Sequence, residues 1–308
     1  MIKLAWLYCS LLKGIEELFY PQSSFNNFAD YLKSLKEPVA LLWHKYQKSV
    51  VEIDYSDSKY QVSYLLLYFP RYVQMTFEIL ATLHYYGWLN FQREVRASFF
   101  GSGPCPEIVG LAYLVAREFP GTKKLIINLY DIAHDDWERS RNITERFIIP
   151  KLGQCEGIPF NSDELDLCSE KSFIPLEPVI KQCNLFIFQN CLNEIYKTSS
   201  VKANIKYLLD TVSPGSLIII ADLDYKQCHE LLDQIQDTIR QRSDFEIHRS
   251  EKLNFSCRNW LLIPGILRTN LLTKETLNIE NCSQPFPFQL NPRYEVNYSF
   301  LAARKLSL

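Results

Sequence analysis

The stretch FFGSGPCPEIVGLAYLV, residues 99–115, passes from an apolar segment into a helix-like one through six residues, GSGPCP. Two glycines and two prolines in so short a junction demand a sharp turn. Gly101 and Gly103 supply positive φ and let another group come close to the backbone. Pro106 suits a first helical turn, where a missing N–H is no loss, and Glu107 favours the helix dipole. A strand feeding a helix in this way is expected to expose backbone N–H groups and the positive helix end, a place to hold a ligand. Such units assemble into a sheet with its ligand beyond the carboxyl ends of the strands.

The remaining sequence agrees with that unit. From about Arg96, short apolar runs alternate with amphipathic stretches: KKLIINLYD before DDWERSRNITERFIIPKL, CNLFIFQN before SVKANIKYLLDTV, PGSLIIIAD before YKQCHELLDQIQDTIRQ. Alternation of this kind reads as βα units around a mostly parallel sheet. Up to about Asn90 the apolar spacing is helical throughout, with Pro70 placed to kink or split the third segment. The expected division is a helical N-terminal subdomain over 1–92 and a ligand-binding α/β domain over 93–308. Between Ser250 and Pro292 the rhythm breaks, consistent with an insertion before the final strand.

Bulk properties narrow the function. With 308 residues, 47% of them hydrophobic, the chain can build a large core without staples. A net charge of −2 argues against a surface given over wholly to polyanions. The 9 cysteines are scattered without a CxxC pair, and the 5 histidines show no metal-ligand spacing. Small buried thiols in a reducing, cytoplasmic compartment are expected, with no metal site. The N-terminal apolar stretch, with Leu4, Leu7, Leu11, Ile15 and Leu18 at helical spacing, reads as an amphipathic helix, and no run is long enough to span a membrane.

The ligand is narrowed by what the turn lacks. The dinucleotide fingerprint needs a third glycine where Pro106 stands, which counts against a nicotinamide cofactor. Asp131, closing LIINLYD, is placed to accept both hydroxyls of a ribose, a role compatible with helix capping.

These residues resemble the class I S-adenosylmethionine-dependent methyltransferases over roughly Arg96 to Lys305. FFGSGPCPE is similar to their first motif, Asp131 to the second-strand acid, and Asp166 in SDELDLCSE to the third-strand acid near the adenine amino group. LFIFQNCLNE resembles the fourth strand and its motif, VSPGSLIIIAD the fifth strand, and YEVNYSFLAARK the final antiparallel strand. The resemblance implies a Rossmann-like fold with helices on both faces of the sheet and an antiparallel last strand. It implies S-adenosylmethionine as cofactor, held by Gly101, Ser102, Gly103, Pro104, Asp131, Ile132, Asp166, Leu167, Gln189 and Asn190. The chain departs from the family at Phe99, where an acid is frequent, and at Cys105, in place of a third glycine. The GSGP turn also resembles that of nicotianamine synthase, which transfers an aminocarboxypropyl group from the same cofactor.

Methyl transfer from a sulfonium needs alignment and, at most, proton removal, so no triad is required. Glu194 is the candidate general base or amine-orienting group and Asn193 its neighbour, although the pair could equally cap a helix. Tyr64, Tyr68 and Arg71, flanking Pro70, could line the acceptor site or simply pack. His134 lies close in sequence to the proposed ribose site. The leading expectation is methyl transfer to a small-molecule or protein acceptor. RNA modification, which a methyltransferase fold with a helical extension and the basic residues Arg249, Lys252, Arg258, Arg268 and Lys274 would suit, and a non-catalytic scaffold are the alternatives.

Overall fold

The computed structural model describes residues 5–46, 53–153, 158, 160–195, 199–256, 263–271, 275–277, 286–288 and 295–307. Its centre is a seven-stranded sheet built from β1 (Glu94–Phe100), β2 (Lys124–Asp131), β3 (Phe160–Glu164), β4 (Leu185–Gln189), β5 (Leu217–Leu223), β6 (Phe245–Ser256) and β7 (Glu295–Lys305). The spatial order is β3-β2-β1-β4-β5-β7-β6. The first five strands run parallel, and β7 is inserted antiparallel between β5 and β6. This is the mostly parallel Rossmann-like sheet expected from the alternation. Strand order reverses between β1 and β4, so the crevice beyond their carboxyl ends is the place for a ligand.

The central strands are apolar on both faces because both faces are covered. Phe99, Leu185, Ile187 and Ile219 belong to one continuous buried cluster. Phe100, Phe186, Phe188 and Ile220, one step along in each strand, belong to a second. The helix Ser199–Thr211 and the helix Lys226–Arg240 close the second layer, contributing Ile205, Leu208, Leu231 and Leu232. In contrast β3, at the sheet edge, is largely exposed along its length.

Among the described residues five α-helices precede the sheet: α1 (Ala5–Leu18), α2 (Phe28–Ser34), α3 (Lys36–Lys45), α4 (Ser58–Leu67) and α5 (Phe69–Tyr85). The break between α4 and α5 falls at Tyr68, with Pro70 in the first turn of α5. Proline has no N–H to give and its ring clashes with the preceding turn, so a new helix starts there. The five helices have no core of their own. Leu7, Leu32, Val62 and Met75 share the cluster that contains Phe99, together with Ile108 and Leu111 of α6 (Pro106–Glu118). The crossing of α5 and α6 is close at Gly110, where an added Cβ would sit 2.7 Å from Thr76 Cβ. The expected boundary at residues 92 and 93 therefore separates two halves of one core.

In the insertion, the helix Gly265–Asn270 returns Leu267 and Leu271 to that same cluster. Arg249 is paired with Asp233 and Glu251, so part of the basic character there is neutralised. Arg258 and Lys274 lie outside the described residues. Among the described residues no helix is long and apolar enough to cross a membrane, and no group of three potential metal ligands occurs.

Candidate functional site

The turn between β1 and α6 alternates left-handed residues: Gly101 at φ +62°, Gly103 at +46° and Cys105 at +58°. Only at Cys105 does this fall on a side chain with a Cβ, a sparsely populated conformation. Gly101 is also required sterically, since a Cβ there would stand 2.8 Å from Cys191 Cβ.

The donors of this turn are spent. Gly101 and Ser102 donate to the Tyr130 carbonyl at 2.8 and 3.2 Å, and Cys105 to Ser102 at 2.7 Å. Gly103 donates to Asp131 Oδ2 at 2.7 Å. Pro104 and Pro106 have no N–H. Residues 101, 102, 103 and 105 thus use their N–H groups to bind the turn to itself and to the end of β2. Among the described residues the carbonyl oxygens of Gly101 and Gly103 accept no hydrogen bond. Acceptors of this kind suit an ammonium group.

Asp131 is 8% exposed. Its second oxygen accepts from Ala133 N at 2.9 Å. Burial raises its carboxyl above the usual value, opposed by the two backbone N–H groups and by Arg141 and His134. A carboxylate has about four acceptor sites, so two remain for other donors.

Asp131, Gly101 and Gly103 line one cleft of about 390 Å³ at the carboxyl ends of β1, β2 and β4. Ile132, 63% exposed, is at its rim, and Asp166 and Leu167 also line it. Asp166 Oδ1 accepts from Cys168 N at 2.7 Å, which fixes the turn after β3. Asn190 lines the cleft in a left-handed conformation, φ +58°. Both polar atoms of its amide are shielded and, among the described residues, without partner. A buried orphan amide on a strained backbone marks a place where a ligand completes the structure.

The opposite wall is aromatic, and only Tyr64 of it was expected from the sequence. Tyr55, Tyr64 and Trp137 line it, with ring centroids 4.4 Å apart for Tyr55 and Trp137 and 5.4 Å for Tyr64 and Trp137. Trp137 comes from the loop after β2 and rests against Gly103, at 3.4 Å from the place of a Cβ. Gln61 joins the two sources of this wall. Its Nε2 donates to the carbonyls of Tyr55 and Asp136 at 2.8 and 2.7 Å, and its Oε1 accepts from Ser140 Oγ at 2.9 Å. A helical-region glutamine with all its polar atoms engaged has no linear sequence signal.

Other expected residues are placed elsewhere. Gln189 turns away from the cleft: its Oε1 accepts from Thr76 Oγ1 at 2.8 Å and its Nε2 donates to the Tyr72 carbonyl at 3.2 Å. It ties α5 to the tip of β4. Ser102 and Pro104 belong to the turn but do not line the cleft; Ser102 is buried, and the Pro104 carbonyl accepts from Thr144 Oγ1 at 2.9 Å. Tyr68 is packed on Tyr46 with centroids 4.7 Å apart, and the buried Arg71 lies over the Tyr68 ring. Neither lines the cleft; of the three, Tyr64 does. His134 pairs with Asp135 at 3.2 Å. The side chains of Asn193 and Glu194 lie outside the described residues. Asp222, passed over in IIIAD, is buried at the end of β5 and accepts from Leu192 N at 2.8 Å, anchoring the chain just past Asn190.

No protein-family model and no curated protein matches this chain. Among solved structures it is similar to precorrin-6y C5,15-methyltransferase from Geobacter metallireducens, at 8% identity over 76% of this chain and 88% of that one, with a TM-score of 0.39. The YcgJ protein of Bacillus subtilis is similar at 9% identity over 76% of this chain and 100% of that one, TM-score 0.41. The S-adenosyl-L-methionine complex of Haemonchus contortus phosphoethanolamine N-methyltransferase 2 is similar at 15% identity, TM-score 0.36, over 74% of this chain and 52% of that one. Overlaps this loose carry no argument about the site. The strand order and the cleft do.

Proposed function

We propose that the chain is an S-adenosylmethionine-dependent methyltransferase acting on a small-molecule or protein acceptor. The observation that carries the reading is the spent turn: beside a buried ribose-binding candidate, Asp131, it presents carbonyl acceptors where a dinucleotide would need donors. The residues fit the cofactor part by part. Asp131 has acceptor sites for the ribose hydroxyls, and Ile132 and Leu167 offer apolar surface beside Asp166 for an adenine. The carbonyls of Gly101 and Gly103 suit the α-ammonium of an amino-acid tail, and the Asn190 amide lacks a partner in the same cleft. Bound there, the cofactor would supply a methyl group already activated on sulfur.

The protein's part is then to position and to exclude water. Tyr55 and Tyr64 of the helical region and Trp137 of the loop after β2 line the cleft, and Gln61 ties Tyr55 to the residue before Trp137. Asp222 fixes the segment that carries Asn190. Glu194 and Asn193, in the short helix Leu192–Ile195 beyond β4, are the proposed proton acceptor and acceptor-orienting group. Isothermal titration with S-adenosylhomocysteine and with NAD tests the reading. Binding of the former, lost in Asp131→Ala with the fold intact, is expected; no binding at millimolar concentration, or preference for NAD, would overturn it.

A further inference from the structure

We propose that the acceptor is a small, flat compound bearing a positively charged or protonatable nitrogen, held against the Trp137–Tyr55–Tyr64 wall beside the carboxylates of Asp54 and Asp136. The proposal rests on the cleft being the methyl-transfer site, and it concerns the half of the cleft that the cofactor reading leaves unassigned.

Charge gives the first argument. Asp54, Asp131, Asp136 and Asp166 all line the cleft, and among the described lining residues there is no lysine, arginine or histidine. Asp131 and Asp166 lie on the sheet side and are engaged by backbone N–H groups. Asp54 is in the helical region and Asp136 in the loop after β2, both exposed and both next in sequence to an aromatic of the wall. Ser56 N and Oγ, at 3.0 and 2.6 Å, donate to Asp54 Oδ1 and hold its carboxyl below the usual range, so it is ionised at neutral pH. Arg141, which acts on Asp131, does not line the cleft. A phosphate or carboxylate entering here would meet acids of its own sign, whereas a cation would be drawn in.

Shape gives the second. Tyr55 and Tyr64 are half-buried and line the cleft, and the hydroxyls of Tyr46 and Tyr55 are hydrogen-bonded at 2.7 Å. Rings held in this way bind flat groups by stacking and cations by the ring quadrupole. The volume of about 390 Å³ is at the small end for ligand sites, so an acceptor sharing it with a nucleoside cofactor must be compact. An RNA acceptor would have to bring its phosphates past Asp54 and Asp136.

Tryptamine and indole-3-propionate, matched in ring and opposite in charge, separate the outcomes. Both are titrated into protein saturated with S-adenosylhomocysteine and into cofactor-free protein, with calorimetry and tryptophan fluorescence as readouts. Tryptamine is expected to bind at least about tenfold tighter. The exposed double substitution Asp54→Asn, Asp136→Asn should collapse that preference while leaving S-adenosylhomocysteine affinity and thermal stability unchanged. Equal or tighter binding of indole-3-propionate, an unchanged preference in the double variant, or no binding of either probe at millimolar concentration overturns the proposal. Failure to bind S-adenosylhomocysteine overturns the cofactor reading instead, and the titrations of cofactor-free protein still judge this one.

Discussion

The carboxyl ends of the parallel strands and their amino ends use the same residue types to opposite effect. At the amino end, Asp244 takes Arg242 Nε and Nη2, each at 3.0 Å, and Lys305 Nζ at 2.6 Å, which together hold its carboxyl far below the usual range. At the carboxyl end, Glu107 and Asp131 are raised by burial, Glu107 Oε2 and the Asn190 amide have no partner among the described residues, and Cys105 and Asn190 adopt left-handed backbone. Groups left incomplete or strained within a well-packed fold are retained where a ligand finishes them. The contrast is the one expected if stability resides at one end of the sheet and the proposed ligand site at the other.

Gly101→Val tests the strained end most severely. It combines an unfavourable φ with a side chain driven into Cys191, so a loss of about 3–5 kcal/mol is expected in chemical denaturation, with S-adenosylhomocysteine binding abolished. Tolerance within about 1 kcal/mol would remove the strain from the comparison. Asp131→Asn should weaken S-adenosylhomocysteine binding by about 10–100-fold, or ~1.4–2.8 kcal/mol, in calorimetry. Unfolding stability should fall by about 1–2 kcal/mol, since the asparagine keeps an acceptor for only one of the Gly103 and Ala133 N–H groups.

The two ends should also respond oppositely to pH. Glu107 has a folded value raised above its unfolded 4.5, so its contribution to stability is full below that value and declines as pH rises toward the folded one. Glu107→Gln should flatten that decline, becoming more stable than the parent from mildly acid to neutral pH by at most about 1.4 kcal/mol per pH unit. Asp244 has the reverse sign. Its contribution is present above the unfolded 3.8 and is lost as pH falls through the depressed folded value. Melting temperatures of Asp244→Asn and the parent should therefore converge in acid, with a difference of about 1–2 kcal/mol at neutral pH and no change in cofactor affinity at any pH. A shift in cofactor affinity on changing Asp244 would mean that the two ends are coupled.

Much of the fold was legible because its signals are local. Apolar runs of β1, β2, β4 and β5 each precede an amphipathic helix, and Pro70 announced the break between α4 and α5. In the cleft, Gly101, Gly103, Asp131, Ile132, Asp166, Leu167 and Asn190 were reached from the sequence because each stands at the end of a strand, the place where a parallel sheet delivers residues to one edge. Gln189, one residue before Asn190, was not distinguishable from it by that rule. Strand alternation sends neighbours to opposite sides, so one lines the cleft and the other is bound to Thr76. Trp137, Tyr55 and Gln61 carried no signal, since they meet only after the helical region has folded onto the loop behind β2.

Order along the chain was enough to specify a parallel sheet and a bend that only glycine permits at Gly101, because backbone sterics and hydrophobic periodicity act within a few residues. The direction in which that bend's hydrogen bonds run was settled by packing. Its N–H groups turned inward to Tyr130 and Asp131 once β2 lay alongside β1, a long-range pairing that no local pattern records, in a turn whose glycines line an acid-lined, aromatic cleft.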